Sequence, residues 1–287
     1  MKHHLSCFII LFFLLIGACS PLSNQEELTA DPLHDTEAAA PTWTVAPTDT
    51  QIPSTPAPIL QDKVCSPLET EALQTLKEIV TQPYKQPRIG IDDGPPTHHG
   101  VDFAHYRRGD LLSLEGVGIQ SALDGEVVTV INDRFPYGHA VIIETPLDKI
   151  SPQLLTQFNL PEISSPVEPD PKFNWSPGEL SFILSETDYS IYIFYAHLLA
   201  APEVEIGEQV ACGQRIGQVG NSGDSTNPHL HFETRIGPSG ARFESMAYYI
   251  PDSTESERYN YIVWRITNLF QVFDPMLLLD FERLLDK

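Results

Sequence analysis

Between Val204 and Asp224 the chain reads VEIGEQVACGQRIGQVGNSGD, with five glycines between positions 207 and 223. Each glycine in a helix interior costs roughly 1 kcal/mol relative to alanine, so this stretch is closed to helix. What it permits is short apolar pieces separated by turns. The rest of the second half agrees. HAVIIETP (139–146) and SIYIFYAHLL (190–199) are β-branched and aromatic runs of strand length. GIQSALDGEVVTVIND (118–133) places two extended runs around Asp124-Gly125, which predicts a hairpin. The fold class that follows is mainly β: an antiparallel sandwich or open barrel-like core with a groove. Lipoyl-type carriers share this glycine rhythm but display a lysine on a hairpin tip, and neither Asp124-Gly125 nor Gly207-Glu208 offers one.

Two helices are expected at the margins. Ser66-Pro67-Leu68-Glu69 reads as a capping box with proline at the first helical position. Ala72, Leu76, Ile79 and Val80 then recur at helical spacing, which predicts a helix from Pro67 to Thr81, stopped by Pro83. Glu255 to Leu269 reads as a second helix carrying Tyr259, Ile262 and Ile266 on one side, within a small C-terminal extension. Two insertions interrupt the β pattern, at 149–188 and 237–269. The first is rich in proline and reads as a long loop, of the kind that gates sites.

The first residues are of another kind. Lys2 precedes the apolar run CFIILFFLLI (7–16), and Gly17-Ala18-Cys19 follows. This pattern predicts a signal peptide over 1–18, too short for a membrane span. Its IGAC ending is similar to a bacterial lipobox, which implies a lipid on Cys19 and an exported, lipid-anchored chain. Residues 19–62, with Pro41, Pro47, Pro53, Pro56 and Pro58 among Thr, Ala and Ser, read as a disordered tether ahead of a domain over 63–287. Export leaves Cys65 and Cys212 either bridged or as two buried thiols, and an oxidising compartment favours the bridge. The net charge of -22 disfavours polyanion partners, so nucleic acid is not expected.

The histidines carry the chemistry. In NPHLHFE (227–233), a strand period of two turns His229 and His231 to one face and Leu230 to the other. PPTHHGVDFAH supplies His98, His99, Asp102 and His105, and His197 ends an apolar strand that does not need an imidazole for packing. Zinc accepts imidazole nitrogen and carboxylate oxygen, and a catalytic zinc keeps three protein ligands. Residues 98 and 102 would stand about 13 Å apart in a straight strand, so the chain must bend, and Gly100 would allow it.

HHGVDFA, YAHL, VGNSGDSTNPHLHFE and IGEQVACGQRIGQVG together resemble the lysostaphin/LytM-type zinc metallopeptidases, which cut peptide stems or cross-bridges of peptidoglycan. The resemblance runs from about Pro95 to Arg235 and resumes at Phe273-Asp274-Pro275. It implies His98, Asp102 and His231 as ligands of Zn2+, with His197 and His229 as catalytic histidines that do not bind it. His99 falls at the variable position beside the first ligand. Asn227 stands where a glycine is common. The implied substrate is a peptidoglycan peptide, and a monomer is expected. The alternative is a wall-binding or hydrolase-activating module that keeps the zinc site without catalysis. Tyr195 reads as packing, His105 and His139 as surface residues or supports of the ligands, Asp92 and Asp93 as a solvated turn, and Asp274 as a strand terminator.

Overall fold

A computed structural model describes residues 60–91, 97–105, 113–173 and 188–279. The expected signal peptide, Cys19 and nearly all of the tether lie outside these residues, as do Asp92 and Asp93. Gln61, at the end of the expected tether, is already part of the domain: it is buried, its N–H donates to the Lys149 carbonyl at 2.9 Å, and its carbonyl accepts from Ser151.

Strands β1 (Val80–Gln82), β2 (Gly100–Phe103), β4 (Gly125–Arg134), β5 (Gly138–Pro146), β6 (Tyr189–Leu198), β7 (Gln209–Val210) and β9 (Leu230–Pro238) form one sheet in the order β1-β2-β9-β6-β5-β4-β7. Strand β10 (Gln271–Phe273) also pairs with β9, and every pairing is antiparallel. Strands β3 (Gly118–Gln120) and β8 (Arg215–Gln218) form a second, two-stranded sheet. The mainly β, antiparallel class expected from the sequence is what is found.

The large sheet is covered on both faces, which explains why its central strands read as continuous apolar runs. On β6, Ile191, Ile193 and Tyr195 enter one core, while Tyr192, Phe194 and Ala196 enter the other. On β5, Val141 and Ile143 divide from Ala140 and Ile142 in the same way. The first core takes Ile119 of β3, Ile216 of β8, and Leu154 and Phe158 of helix α1 (Pro152–Phe158). The Cys65–Cys212 disulfide closes beside it. The second core takes Tyr261, Ile262, Val263 and Trp264 of helix α2 (Glu255–Arg265). Each such side chain, fully buried, stabilises the fold by about 1.5–3 kcal/mol.

Three local expectations are corrected. The helix over Pro67–Thr81 does not form; the only helical turn in that segment is a 3-10 turn at Leu76–Ile79, followed by β1. The Glu69 N–H donates to Gly118 O and Pro67 O accepts from Gln120, so β3 takes the groups a helix would have used. Asp124-Gly125 is not a hairpin turn either, since β3 pairs with β8 and β4 pairs with β5 and β7. Gly125 is needed because a Cβ there would stand 2.4 Å from the Glu144 carbonyl oxygen. The first half of the proline-rich insertion is not structureless. Ser151 caps α1 by accepting from Leu154 N, Pro152 opens the helix, and Leu154 and Phe158 are buried. The second expected helix is present as α2, with Thr254 and Glu257 forming a reciprocal capping box.

Candidate metal centre and its histidine pair

Strands β2 and β9 run side by side with Asp102 opposite His231. The chain turns just before β2, where His98 pairs with Lys85. The bend brings His98 Nε2 to 3.1 Å from Asp102 Oδ1. Gly100 serves close approach, not a turn: a Cβ there would lie 2.3 Å from the Phe232 carbonyl oxygen. His231 Nδ1 stands 2.9 Å from Asp102 Oδ1 and 3.3 Å from His98 Nε2. Ligands held tetrahedrally at zinc distances of about 2.0–2.1 Å stand about 3.3 Å apart, so this triangle fits the ion.

The outer nitrogens support that fit. His98 Nδ1 faces the Pro83 carbonyl at 3.2 Å, and His231 Nε2 faces Glu233 Oε2 at 3.4 Å. Each therefore donates outward, leaving a lone pair from each ring and one carboxylate oxygen pointing at a common centre, an arrangement a cation stabilises. Burial disfavours the His231 imidazolium, but hydrogen bonds to Asp102 and Glu233 push His231 up to about 9. Asp102 is itself buried, yet its close contacts with the His231 and His98 rings hold it well below the usual carboxylate range.

The other two histidines lie alongside, their rings 4.8 Å apart, centroid to centroid. His197 sits in a bulge of β6, where the register with β5 shifts between His139 and Val141. Its φ is 63°, a left-handed conformation that costs about 1–3 kcal/mol and turns the side chain out of the strand pattern. Its Nδ1 donates to the Ser222 carbonyl at 2.8 Å, and His229 Nδ1 donates to the Asn227 carbonyl at 2.8 Å. Both Nε2 atoms are thus left as acceptors, and that of His229 is 3.6 Å from Asp102 Oδ1. Burial, with the neighbouring His231 and His229, lowers His197 to about 3, and burial also lowers His229. Asn227 acts here through its backbone carbonyl and has no left-handed φ, so the missing glycine changes nothing in this contact.

The five side chains that the resemblance assigned to the site, His98, Asp102, His197, His229 and His231, line one cleft of about 540 Å3. His98, Asp102 and His231 form the one group of three or more potential ligands found among the described residues. His99 is buried away from the cluster, its Nδ1 accepting from Arg235 at 2.8 Å. His105 is buried against Glu71 and does not line the cleft, so neither a surface role nor support of a ligand describes it. His139 also lies off the cleft. Tyr195 is packing: its buried hydroxyl accepts from Ala122 N. Asp274 ends β10 and accepts from Met276 N at the start of α3 (Met276–Leu279).

What the sequence reading missed lies behind His231. Glu233 is fully buried, and its Oε1 accepts from Arg235 Nε at 2.5 Å and from Trp264 Nε1 at 3.0 Å. Arg235 continues to the Phe270 carbonyl and to His99. The same strand period that paired His229 with His231 extends to Glu233 and Arg235 in HFETR, so half of this network had a signal. Trp264, from α2, had none.

Residues 173–242 match the model of peptidase family M23, a span that includes His197, His229 and His231 but begins after His98 and Asp102. The DD-carboxypeptidase/endopeptidase Mpg of Neisseria meningitidis is 41% identical over 64 residues, 22% of this chain and 14% of that protein. Its counterpart in Neisseria gonorrhoeae is 39% identical over the same extent. The chain thus spans 14% of the length of these curated relatives. Among solved structures, the catalytic domain of lysostaphin from Staphylococcus simulans aligns with 72% of this chain and 97% of its own, at 19% identity and a TM-score of 0.36. The catalytic domain of the M23 protein EnpA from Enterococcus faecalis aligns with 56% of this chain and 82% of its own, at 21% identity and a TM-score of 0.31. Over residues 173–242 the chain is thus similar to the peptidases of family M23.

Proposed function

We propose that the chain is a zinc-dependent endopeptidase that hydrolyses peptide bonds of bacterial peptidoglycan. One observation carries the reading: three ligand atoms converge at 2.9–3.3 Å beside two imidazoles whose Nε2 acceptors are open to the same cleft. His98, Asp102 and His231 would hold the ion. When bound, zinc supplies polarisation of the scissile carbonyl and a lowered pKa for water. The protein residues do the rest. His197 and His229, their Nδ1 protons occupied by backbone carbonyls, accept the proton of the attacking water and return it to the leaving amine. Glu233 and the Pro83 carbonyl keep the two ligand rings oriented.

The reading extends to location. An exported chain with a lipid on Cys19 would meet the wall at the cell envelope, and a tether from Cys19 up to the domain, which begins by Gln61, would give it its reach. Tethering would also raise local concentration where an acidic protein and an anionic wall do not attract. The test is digestion of purified peptidoglycan followed by mass spectrometry of the released peptides, alongside zinc analysis. His229→Ala should keep zinc and lose digestion. A protein that takes up no zinc and releases no peptide would sink the proposal.

A further inference from the structure

Beyond Arg134, the last residue of β4, the chain turns through Phe135, Pro136 and Tyr137 into β5, and Arg134 pairs with Gly138 across the turn. This tip meets the loop between β8 and β9. The Pro136 carbonyl accepts from the Asp224 N–H at 2.8 Å, and the His139 N–H donates to Ser222 Oγ at 2.9 Å. Neither Gly138 nor Gly223 leaves room for a Cβ, so the two backbones touch directly. The loop in turn holds both imidazoles. The Ser222 carbonyl takes the His197 Nδ1–H, and the Asn227 carbonyl takes the His229 Nδ1–H. Ser225 Oγ donates to that same Asn227 carbonyl at 3.0 Å. A further bond runs straight from the tip: the Tyr137 carbonyl accepts from the His197 N–H at 3.1 Å. The tip therefore sets where both rings stand. Asp102 and His231, by contrast, are carried by the β2–β9 pair.

The Arg134 side chain fastens the tip to α2. Its Nε donates to Glu257 Oε1 at 2.7 Å and its Nη2 to Glu257 Oε2 at 2.8 Å, a two-pronged contact that fixes orientation as well as distance. Nη1 adds Asp252 Oδ2 at 3.1 Å. The side chains of Arg134 and Glu257 are only 22% and 11% exposed, which sets this pair apart from one lying loose in solvent. Its far end is anchored. Glu257 also accepts from the Thr254 N–H in the capping box of α2, and Trp264 of that helix is fully buried on Phe194, Phe243 and Phe270. Asp252 and Glu257 belong to the insertion at 237–269 and follow the residues that match the family model.

We infer that Arg134, gripped by Glu257, is a positioning residue for His197 and His229, and that the C-terminal insertion serves the reaction through it. The inference rests on the peptidase reading above. Arg134 does not line the cleft. It acts through the tip and the loop, keeping the two Nε2 acceptors in place against the metal centre. Placement matters there, since a shift of about 1 Å costs about a hundredfold in rate. The ordinary alternative is an ion pair that stabilises the fold and nothing more. The two differ in a folded protein: losing a merely stabilising pair leaves the rate of the folded molecules unchanged.

The experiment uses the zinc-loaded full chain at neutral pH, well below the melting temperature of every variant. Initial rates of peptide release over a range of purified peptidoglycan concentrations give the maximal rate and the half-saturating amount. Arg134→Met should lower the maximal rate at least about tenfold, with half-saturation and zinc content unchanged. Glu257→Gln, which keeps an acceptor for Thr254 but breaks the fork, should act in the same direction. The double variant should fall no further than the worse single one. Ile193→Ala, destabilised on the other face of the sheet, should keep the wild-type maximal rate. Ring 15N signals of His197 and His229 give a readout apart from activity: they should move in Arg134→Met and hold in Ile193→Ala. A folded Arg134→Met with an unchanged maximal rate, unmoved ring signals, or losses that multiply in the double variant overturns the inference. The broader reading fails separately, by the wild-type chain releasing no peptide, and the ring signals then still test the coupling.

Discussion

The two faces of the large sheet are built from the same strands and do different work. Toward β3, β8 and α1, β6 and β9 present Ile191, Ile193, Tyr195, Leu230 and Phe232, all within one apolar core. Toward α2, the face begins apolar with Tyr192 and Phe194, then becomes ionic along β9 at His231, Glu233 and Arg235. A strand alternates its side chains at every residue, so one run can carry a core on one side and a charge network on the other. The difference teaches that the site is coupled to folding on one face only. On that face buried charges must be matched group by group; on the other, shape and apolar area suffice.

The largest test of this contrast is His231→Ala, on the ionic face. Zinc should fall to background by elemental analysis, and peptidoglycan digestion should drop by roughly a thousandfold or more. Glu233→Ala comes next. It leaves Arg235 buried without its carboxylate, which should cost about 3–5 kcal/mol in denaturant unfolding. Zinc affinity in the folded fraction should weaken by about 10–100-fold in competition titrations. Ile193→Ala, on the apolar face, should cost about 2–5 kcal/mol by the same unfolding assay, while the folded protein keeps its full zinc content. Loss of zinc in that variant would show that the two faces are not separable.

Trp264→Phe keeps one aromatic ring but removes the indole N–H bond to Glu233 and leaves a cavity at a fully buried site, so a cost of about 1–3 kcal/mol is expected, read as a shift in melting temperature. The smallest effect is a pH dependence on the α2 face, away from the metal. Burial disfavours the Glu257 carboxylate, but hydrogen bonds from Arg134 and the Thr254 N–H hold it at about 2, below the ordinary 4.5. A depressed carboxyl contributes stability above its unfolded value, and that contribution is lost as pH falls from about 4.5 toward about 2. Arg134→Met should flatten this part of the stability profile. An unchanged profile would show that the pair adds nothing there.

Much of this was legible along the chain, and the failures share one cause. Side-chain alternation in NPHLHFE sufficed to put His229 and His231 on one face, and the four-position spacing of His98 and Asp102 sufficed to demand a bend. Glycine spacing sufficed to exclude helix from 204–224. These are properties of neighbouring residues, dictated by backbone geometry alone. Ser66-Pro67-Leu68-Glu69 has an equally local helix signal, and it lost, because Gly118 and Gln120 of β3 took its backbone groups. Asp124-Gly125 failed in the same way, when β8 rather than β4 became the partner of β3.

Local pattern, then, was enough for the antiparallel β class and for which side chains share a strand face, because those follow from a period of two and from glycine's missing Cβ. Only folding settled which strands pair, that Trp264 of α2 closes over Glu233, and that Arg265 reaches the cleft. The β6–β9 pairing and the Trp264–Glu233 bond join residues 31 or more positions apart, and no local preference chooses between competing distant partners. The choice falls to whichever arrangement buries the most apolar surface while leaving Glu233 and Arg235 paired.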